Sequence, residues 1–194
     1  MRTSPRPRPS LRAGARRGSY TVEFAMLTLV FLGVVFCVIE VARAMYMWSM
    51  LSVVMQRAAR TAAVTDVADV AAQALLRQRA VLRTSSGTLA LGDPVTDAHV
   101  RIDYLAADQT QVPAASLPAL PRQNLVNCIN NFDGNVPGQP PCIRFVRARL
   151  CAPDGADGVC GAVFYRPLVP LVNLSFAFPP FTVLVKAESL GYLP

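Results

Sequence analysis

The chain has 194 residues, which is room for one modest domain and some additional segments. Its formal net charge is +7, but residues 1–18 hold six arginines and no acid, and the remainder balances 13 basic against 12 acidic side chains. Because the positive charge forms a terminal tail without interleaved aromatic residues, and not a basic face, it does not indicate nucleic-acid binding.

The N-terminal third predicts a disordered tail followed by a membrane helix. Residues 1–18 are rich in proline, arginine and serine and cannot bury a core. Sixteen residues without charge follow from Phe24 to Ile39, slightly fewer than the about 20 that cross ~30 Å of hydrocarbon. A basic tail directly before such a run is typical of a membrane anchor whose N-terminus stays in the cytoplasm.

The helix is predicted to continue well beyond the apolar run. The segment Glu40–Val64 contains no glycine or proline and is rich in good helix formers. One helix over Ser19–Val64 would be about 70 Å long at 1.5 Å per residue, so its second half must stand in water or pack on other parts of the protein.

Glu40 and Arg43 are three residues apart and therefore share one face of the predicted helix, where they can form an ion pair. Tyr46 and Trp48 follow and fit the aromatic belt of a membrane interface. We therefore interpret Glu40 and Arg43 as a structural pair at the outer membrane interface, with a contact to a partner subunit as the alternative.

The rest of the chain predicts an α+β domain with a packed helix and an antiparallel sheet of about three strands. Thr65 or Asp66 can cap a helix that ends near Leu82. Alternating apolar and polar residues predict three half-buried strands, whereas the segment 106–141, rich in Pro, Asn, Gln and Gly, is predicted to be a long loop. The apolar faces of the strands are Val100, Ile102 and Tyr104, then Val146, Ala148 and Leu150, then Val183, Val185 and Ala187.

Four of the five cysteines lie in the C-terminal half, and the fifth, Cys37, lies in the apolar run. In a small domain downstream of a membrane signal, Cys128, Cys142, Cys151 and Cys160 indicate disulfides in an oxidising compartment. Pairing of nearest neighbours would join Cys128 to Cys142 and Cys151 to Cys160, but the sequence allows three connectivities. Free cysteines and a metal site are the alternatives, although the spacings lack the close pairs that most zinc sites use.

The sequence contains no recognisable catalytic constellation. His99 is the only histidine and has no metal-ligand partner at a useful spacing, so we expect it on the surface. There is no glycine-rich phosphate loop after a strand and no nucleophile elbow. We therefore expect a protein that is not an enzyme, needs no cofactor or metal, and binds neither nucleic acid nor a small-molecule substrate.

The N-terminal segment allows several interpretations, and they differ in what they make of Glu23. A signal peptide would be cleaved after Ala44, since Ala42 and Ala44 satisfy a small-x-small rule, but this would interrupt a good helix pattern. An uncleaved anchor would place Glu23 at the cytoplasmic interface, where an acid costs little. The same acid near a helix N-terminus could simply interact favourably with the helix dipole.

A further interpretation rests on a resemblance. Gly18 is followed after four residues by Glu23 and the aromatic Phe24, which resembles the cleavage signature of type IV pilin precursors. The block from Arg16 to Ala63 is similar to the TadE-like family of Tad (Flp) tight-adherence pilus proteins, and the final segment 181–190 looks like the closing strand of that family. Two family motifs, a Glu-x-x-Arg segment and a small-residue run, are matched by Glu40, Arg43 and Tyr46 and by Ala59, Arg60 and Ala62.

The resemblance implies a minor pilin-like (pseudopilin) subunit that acts in pilus assembly or adhesion. A prepilin peptidase would cut between Gly18 and Ser19, and Glu23, the fifth mature residue, would pair with the N-terminal amine of a neighbouring subunit. Residues 1–18 would be the cytoplasmic leader, 19–64 a helix spanning the bacterial inner membrane, and 65–194 a periplasmic domain. Its partners would be the peptidase, other pilin-like subunits and Tad assembly proteins.

Overall fold

The computed structural model describes residues 17–134, 136–153, 159–168 and 175–192. The chain divides after Ile39 into two compact units, Met1–Ile39 and Glu40–Pro194. The described elements are three α-helices and one sheet, so the predicted α+β class with a long N-terminal helix is confirmed. They are α1 (Arg17–Ala62), α2 (Val70–Ala80), β1 (Val100–Leu105), α3 (Pro121–Asn130), β2 (Phe145–Leu150) and β3 (Thr182–Lys186), with short 3₁₀ turns at Asp97–His99 and Ala114–Ser116.

In the first unit, α1 is apolar around its whole circumference. No described side chain between Tyr20 and Ile39 is buried, and the most apolar 18-residue window of the helix has a mean hydropathy of 2.6. A helix that is apolar on all sides and packs on nothing suits lipid better than water. Within the described residues, it is the one helix long and apolar enough to cross a membrane, a test that an N-terminal signal sequence also passes.

From Glu40 onward, α1 is amphipathic and supplies the centre of the domain core. Its buried apolar positions recur at three- and four-residue intervals, which places them on one face of the helix. Beyond the last turn, the carbonyl of Ala63 accepts the amides of Glu188 at 3.1 Å and Leu190 at 3.2 Å, which fixes the C-terminal segment to the helix end. The fully buried residues of the stripe are Met47, Leu51, Val54, Met55, Ala58, Ala59 and Ala62.

The sheet has the order β1-β2-β3, with both pairs antiparallel. In the register, Tyr104 lies opposite Val146, and Val146 lies opposite Val185, so the predicted apolar faces of all three strands point the same way. These faces pack on the core that contains the stripe of α1. The alternation seen in the sequence therefore identified both the strands and their inner face.

The start of α2 lies later than the sequence predicts. The helix begins at Val70 and is capped by Asp69, whose carboxylate accepts the amide of Ala72 at 3.0 Å. Asp66, one of the two expected caps, instead accepts the amide of Ala68 in the preceding turn. Several acceptors of similar capping strength stand close together here, and the tertiary fold selects among them.

Helix α3 lies inside the segment that the sequence predicts to be a loop. Pro121 occupies its first turn, where the missing amide proton costs nothing and the fixed φ angle favours a helix. Asn124 faces inward and exchanges two hydrogen bonds with the backbone of Ile143, at 2.9 and 3.2 Å. The high content of asparagine and glutamine predicts a loop. The sequence does not show that Asn124 forms hydrogen bonds with the distant Ile143, which allow it to face inward on a helix.

Two disulfides are present, joining Cys128 to Cys142 and Cys151 to Cys160. The first ties the end of α3 to the segment before β2, and the second closes the loop that follows β2. Cys37 is free and exposed on α1. Cross-linked loops of this length stabilise a domain by about 3 kcal/mol each in the chain-entropy model, which suits a domain with long irregular segments.

His99 is 9% exposed, so the prediction of a surface histidine is wrong. Its Nδ1 lies 3.0 Å from the amide of Thr96 and 2.9 Å from the Thr96 hydroxyl. The ring thereby closes the 3₁₀ turn that precedes β1. A histidine at the start of a strand is buried here because its ring bonds to the local turn.

Tyr104 connects β1 to α2. The side-chain amide of Gln73 donates to the Tyr104 hydroxyl at 2.8 Å and to the carbonyl of Asp66 at 3.0 Å. Tyr104 is 6% exposed, and this burial raises the pKa of its phenol to about 12. The folded state therefore holds the phenolic proton more tightly than the unfolded state does.

This difference predicts an alkaline loss of stability that depends on Tyr104. Below pH 10 the phenol is protonated in both states, whereas between pH 10 and 12 only the unfolded state releases the proton, so stability falls as pH rises. We expect the unfolding free energy of the wild type to fall relative to Tyr104→Phe by up to about 3 kcal/mol from pH 9 to 12, at about 1.4 kcal/mol per pH unit. Denaturant unfolding of both full-length proteins in detergent measures this, and all other groups cancel in the difference. Parallel pH profiles would contradict the assignment.

Candidate functional site

The residues predicted to form a processing site lie at the start of α1. The helix begins at Arg17, so Gly18 and Ser19 belong to its first turn. Glu23 and Phe24 follow further along and are exposed, Phe24 to 71%. Within the described residues Glu23 has neither a hydrogen bond nor an ion-pair partner. Among the described residues 20–39 of α1, Glu23 is thus the one carboxylate, and it lacks a described partner.

The position of Glu23 weakens its interpretation as a dipole-stabilising acid. The first turn of α1 contains no acidic residue, and Glu23 is the seventh residue of the helix. Stabilisation by the helix dipole is concentrated within the first turn. The position of Glu23 therefore needs another explanation than the local stability of α1.

A buried polar cluster, the Glu40 cluster, is formed by the side chains of Glu40, Arg43 and Tyr165, which are 1%, 9% and 2% exposed. Glu40 Oε1 accepts the Tyr165 hydroxyl at 2.5 Å and the amide of Leu168 at 3.0 Å. The Arg43 guanidinium approaches the same oxygen only to 3.5 Å. The i,i+3 pair therefore forms, but it is the longest of the three contacts of this carboxylate oxygen.

The planar guanidinium of Arg43 donates hydrogen bonds to backbone carbonyls of two loops. Nε donates to the carbonyl of Leu91 at 2.9 Å, Nη2 to Asp93 at 2.8 Å and Nη1 to Arg166 at 2.8 Å. The guanidinium carbon also lies 5.1 Å from the centroid of the Tyr165 ring. A guanidinium has five donors in a fixed geometry, so one side chain can satisfy carbonyls that point from different directions.

The structure places Glu40 and Arg43 inside the Glu40–Pro194 unit and not on an exposed helix face. Their role at a membrane interface stays a prediction, while their contacts give them an architectural role in the domain. Sequence reasoning could pair the two by spacing, but it missed Tyr165, which is more than 120 residues away. Only the fold brings that hydroxyl to the carboxylate.

Tyr165 belongs to a cluster of aromatic side chains and directs its hydroxyl to Glu40. Its ring stacks on Phe176 at 4.9 Å and meets the edge of Phe178 at 6.0 Å. Burial, together with the hydrogen bond to Glu40, raises the pKa of Tyr165 above its ordinary value, so the hydroxyl remains a donor at neutral pH. The remaining carboxylate oxygen, Glu40 Oε2, has no hydrogen-bond partner within the described residues.

The contacts of the Glu40 cluster are made within the domain, where they hold its loops. The cluster combines a carboxylate, a guanidinium and a phenol without a nucleophile beside a base. In the described part of the chain, no group of three or more His, Cys, Asp or Glu side chains could hold a metal ion. The disulfide cysteines are likewise committed to covalent pairs.

These features define a protein with one apolar N-terminal helix, suited to a single-pass membrane anchor, and a disulfide-bonded α+β domain built on the continuation of that helix. The model of the TadE-like protein family matches residues 18–63, about a quarter of the chain. The resemblance predicted from the sequence is therefore confirmed over these residues, and it relates the chain to pilin-like components of Tad pili. No curated protein and no solved structure matches the chain.

The geometry of Arg43 predicts that lysine cannot replace it. Lysine keeps the charge but has a single nitrogen in place of the planar guanidinium. At least two of the carbonyls of Leu91, Asp93 and Arg166 would therefore lose their donor. We expect Arg43→Lys to lower the unfolding free energy by about 3–6 kcal/mol, since each of the two lost hydrogen bonds from a charged donor contributes about 1.5–3 kcal/mol. Denaturant unfolding in detergent, followed by the fluorescence of Trp48, measures the change.

Arg57 provides the matched control, because it is exposed on the same helix. Arg57→Lys should change the unfolding free energy by less than about 0.5 kcal/mol. Equal effects of the two substitutions would show that the contacts of Arg43 do not stabilise the domain.

Proposed function

We propose that this chain is a minor pilin-like subunit that acts in the assembly of a Tad-type pilus. It works by binding other subunits and has no catalytic role. The observation that carries the proposal is the extent of the family match, which begins at Gly18 and ends at Ala63. It therefore includes the whole predicted processing site together with the helix that follows.

The proposed maturation step is a single cut between Gly18 and Ser19 by a membrane prepilin peptidase on the cytoplasmic side. Glycine has no side chain, so the backbone before the bond can enter the peptidase site closely. Ser19 then becomes the N-terminus and carries a free amine, and Glu23 becomes the fifth residue of the mature chain. The leader 1–18, with its six arginines, stays in the cytoplasm.

Glu23 is proposed to select the position of the subunit among its neighbours. A carboxylate in hydrocarbon costs a few kcal/mol, and an amine of opposite charge on an adjacent helix removes that cost. Glu23 has no partner within the described residues, which supports a role in which the compensating charge belongs to a neighbouring subunit. Docking of a second subunit would supply it.

The proposed topology has residues 19–64 as the inner-membrane helix and residues 65–194 as a periplasmic domain. The two disulfides support an oxidising compartment for the domain, since such bonds persist outside the cytosol. The partners would be the prepilin peptidase, other pilin-like subunits and Tad assembly proteins. The effect of the protein would be on pilus biogenesis or adhesion.

The Glu40 cluster argues against release of the domain by cleavage after Ala44. Such a cut would remove Glu40 and Arg43, which together hold the loops that contain Leu91, Asp93 and Tyr165. Cleavage at Gly18 leaves every one of these contacts in place. An uncleaved anchor keeps them as well, so processing itself must be measured.

The first measurement is the N-terminal sequence and intact mass of the membrane-extracted protein, with and without a co-expressed prepilin peptidase. We expect a start at Ser19 only when the peptidase is present. Gly18→Val should block the cut, because its side chain obstructs entry to the peptidase site, whereas the matched leader variant Gly14→Val should be processed normally. A start at Met1 in both samples would leave an uncleaved anchor, and a start at Met45 would mean release after Ala44.

The second measurement tests the carboxylate. We expect Glu23→Ala to leave the protein folded and inserted but to lower surface piliation by at least about tenfold, because an intersubunit ion pair worth more than 1.4 kcal/mol is lost. The control is Glu188→Ala, which removes an exposed acid of the domain. Normal piliation with Glu23→Ala would contradict the proposed role.

A further inference from the structure

The domain carries exposed apolar side chains at the end where α1 enters it. Glu40 and Arg43, the first charged residues after the apolar run, are buried in the Glu40 cluster. On the same turns of the helix, Met45 is 71% exposed and Trp48 is 51% exposed. A domain surrounded by water normally shows the opposite distribution, with charges at its surface and large apolar side chains inside.

Two loops bring further apolar side chains to this end of the domain. The Arg43 guanidinium binds the carbonyls of Leu91 at 2.9 Å and Arg166 at 2.8 Å, and Glu40 accepts the amide of Leu168 at 3.0 Å. Because one guanidinium binds both loops, they lie next to each other beside the first turns of the amphipathic helix. The side chains of Leu91 and Leu168 are exposed. We call the exposed apolar residues of the helix and the two loops the entry residues: Val41, Met45, Trp48, Leu91 and Leu168.

Leu91 has a backbone conformation that leucine rarely adopts. Its φ angle is +56°, and it is the third residue of a tight turn that the Gly92 amide closes onto the Leu89 carbonyl at 2.9 Å. Glycine or asparagine is favoured at such a position, because a larger side chain costs about 1–2 kcal/mol. The side chain of Leu91 is 71% exposed and therefore adds little to the core. Neither the turn nor the core explains a leucine here, whereas an apolar contact outside the domain does.

The apolar run of α1 is too short to keep the entry residues away from a bilayer. As a helix, Phe24–Ile39 is about 24 Å long, whereas the hydrocarbon is ~30 Å thick and the bilayer with its headgroup regions about 40–45 Å. A short segment is accommodated by local thinning of the bilayer, which brings the flanking residues to the headgroups. Glu40 directly follows Ile39 in α1, so the residues flanking the run on this side belong to the entry end of the domain.

We propose that the entry residues contact the bilayer at the boundary between headgroups and acyl chains, so that the domain rests on lipid through its two loops as well as through its helix. The proposal rests on the membrane topology proposed above, but not on cleavage at Gly18 or on pilus assembly. Burial of apolar side chains in this boundary supplies the free energy. The exposed charges of the two loops, Asp93 and Arg166, have opposite signs, so the contact does not require anionic lipid.

The experiment measures the contact of single tryptophans with lipid. Trp48 is the only tryptophan of the chain, so Trp48→Phe provides a background without tryptophan. Full-length variants in this background are reconstituted into phosphatidylcholine vesicles, with or without bromine near the headgroup end of the acyl chains as a quencher. We expect Leu91→Trp to fluoresce at least about twofold more weakly in brominated vesicles, because a side chain in the boundary touches the acyl chains. Adding phosphatidylglycerol should leave this quenching unchanged.

Two control variants separate the proposal from the topology on which it rests. Phe31→Trp places the probe in the middle of the apolar run and should be quenched if α1 crosses the bilayer. Ile129→Trp replaces another exposed apolar side chain and should not be quenched. It lies on α3, which lines a cavity together with Glu188, the residue that binds Ala63 at the other end of α1. If Leu91→Trp fails to fold, Met45→Trp on the surface of α1 serves as the probe, with the same expected quenching.

Several outcomes would overturn the proposal. Quenching of Phe31→Trp without quenching of Leu91→Trp would show a membrane anchor whose domain does not touch lipid. Equal quenching of Ile129→Trp would show that the contact is not made by the entry residues. A blue shift of Leu91→Trp without quenching would show that a second copy of the protein covers them, and quenching only with phosphatidylglycerol would show a contact made by charge. No quenching of Phe31→Trp would contradict the membrane anchor itself.

Discussion

One helix carries two patterns of apolar residues, and the architecture of the domain depends on the change between them at Glu40. Before that residue the helix is apolar on every side, as a segment in lipid requires. After it, the buried side chains form a single stripe around which the sheet and loops assemble. A helix can make this change without a break because its backbone hydrogen bonds are internal and do not depend on the solvent around it.

Arg43 stabilises the first turns of the amphipathic part. Its guanidinium holds the carbonyls of Leu91, Asp93 and Arg166, which belong to loops with no regular partner of their own. Apolar packing alone could not fix these loops, because their carbonyls need donors once they are buried. This explains why a charged residue lies on the buried face of the helix at this position. The polar contacts orient the loops, and the apolar stripe from Met47 onward supplies the burial that stabilises the assembly.

Sequence reasoning succeeded where structure depends on local periodicity and failed where it depends on distant partners. Alternation along the chain identified the inner faces of β1 and β2, because side-chain direction in a strand is fixed by its backbone. It could not identify α3, whose Asn124 is satisfied by the backbone of Ile143. It also missed the surroundings of Asp103, since the register that brings Arg147 and Arg149 to one carboxylate is a property of the paired strands. The pattern of the predicted processing residues is entirely local, so the fold adds nothing to it, and cleavage at Gly18 stays a prediction.

Three carboxylates of this chain, those of Glu40, Glu23 and Asp103, differ in how their charge is compensated. This difference distinguishes carboxylates that stabilise the fold from one that is proposed to bind a partner. One carboxylate oxygen of Glu40 accepts hydrogen bonds from several donors within the domain, so this residue stabilises the fold itself. Glu23 has no partner within the described residues, whereas Asp103 is buried and pairs with Arg147 and Arg149 of the neighbouring strand. In the proposed assembly, the amine of a neighbouring subunit would compensate Glu23. A folded protein gains nothing from leaving a charge uncompensated, which is why the proposed subunit contact is assigned to Glu23 and not to Glu40 or Asp103.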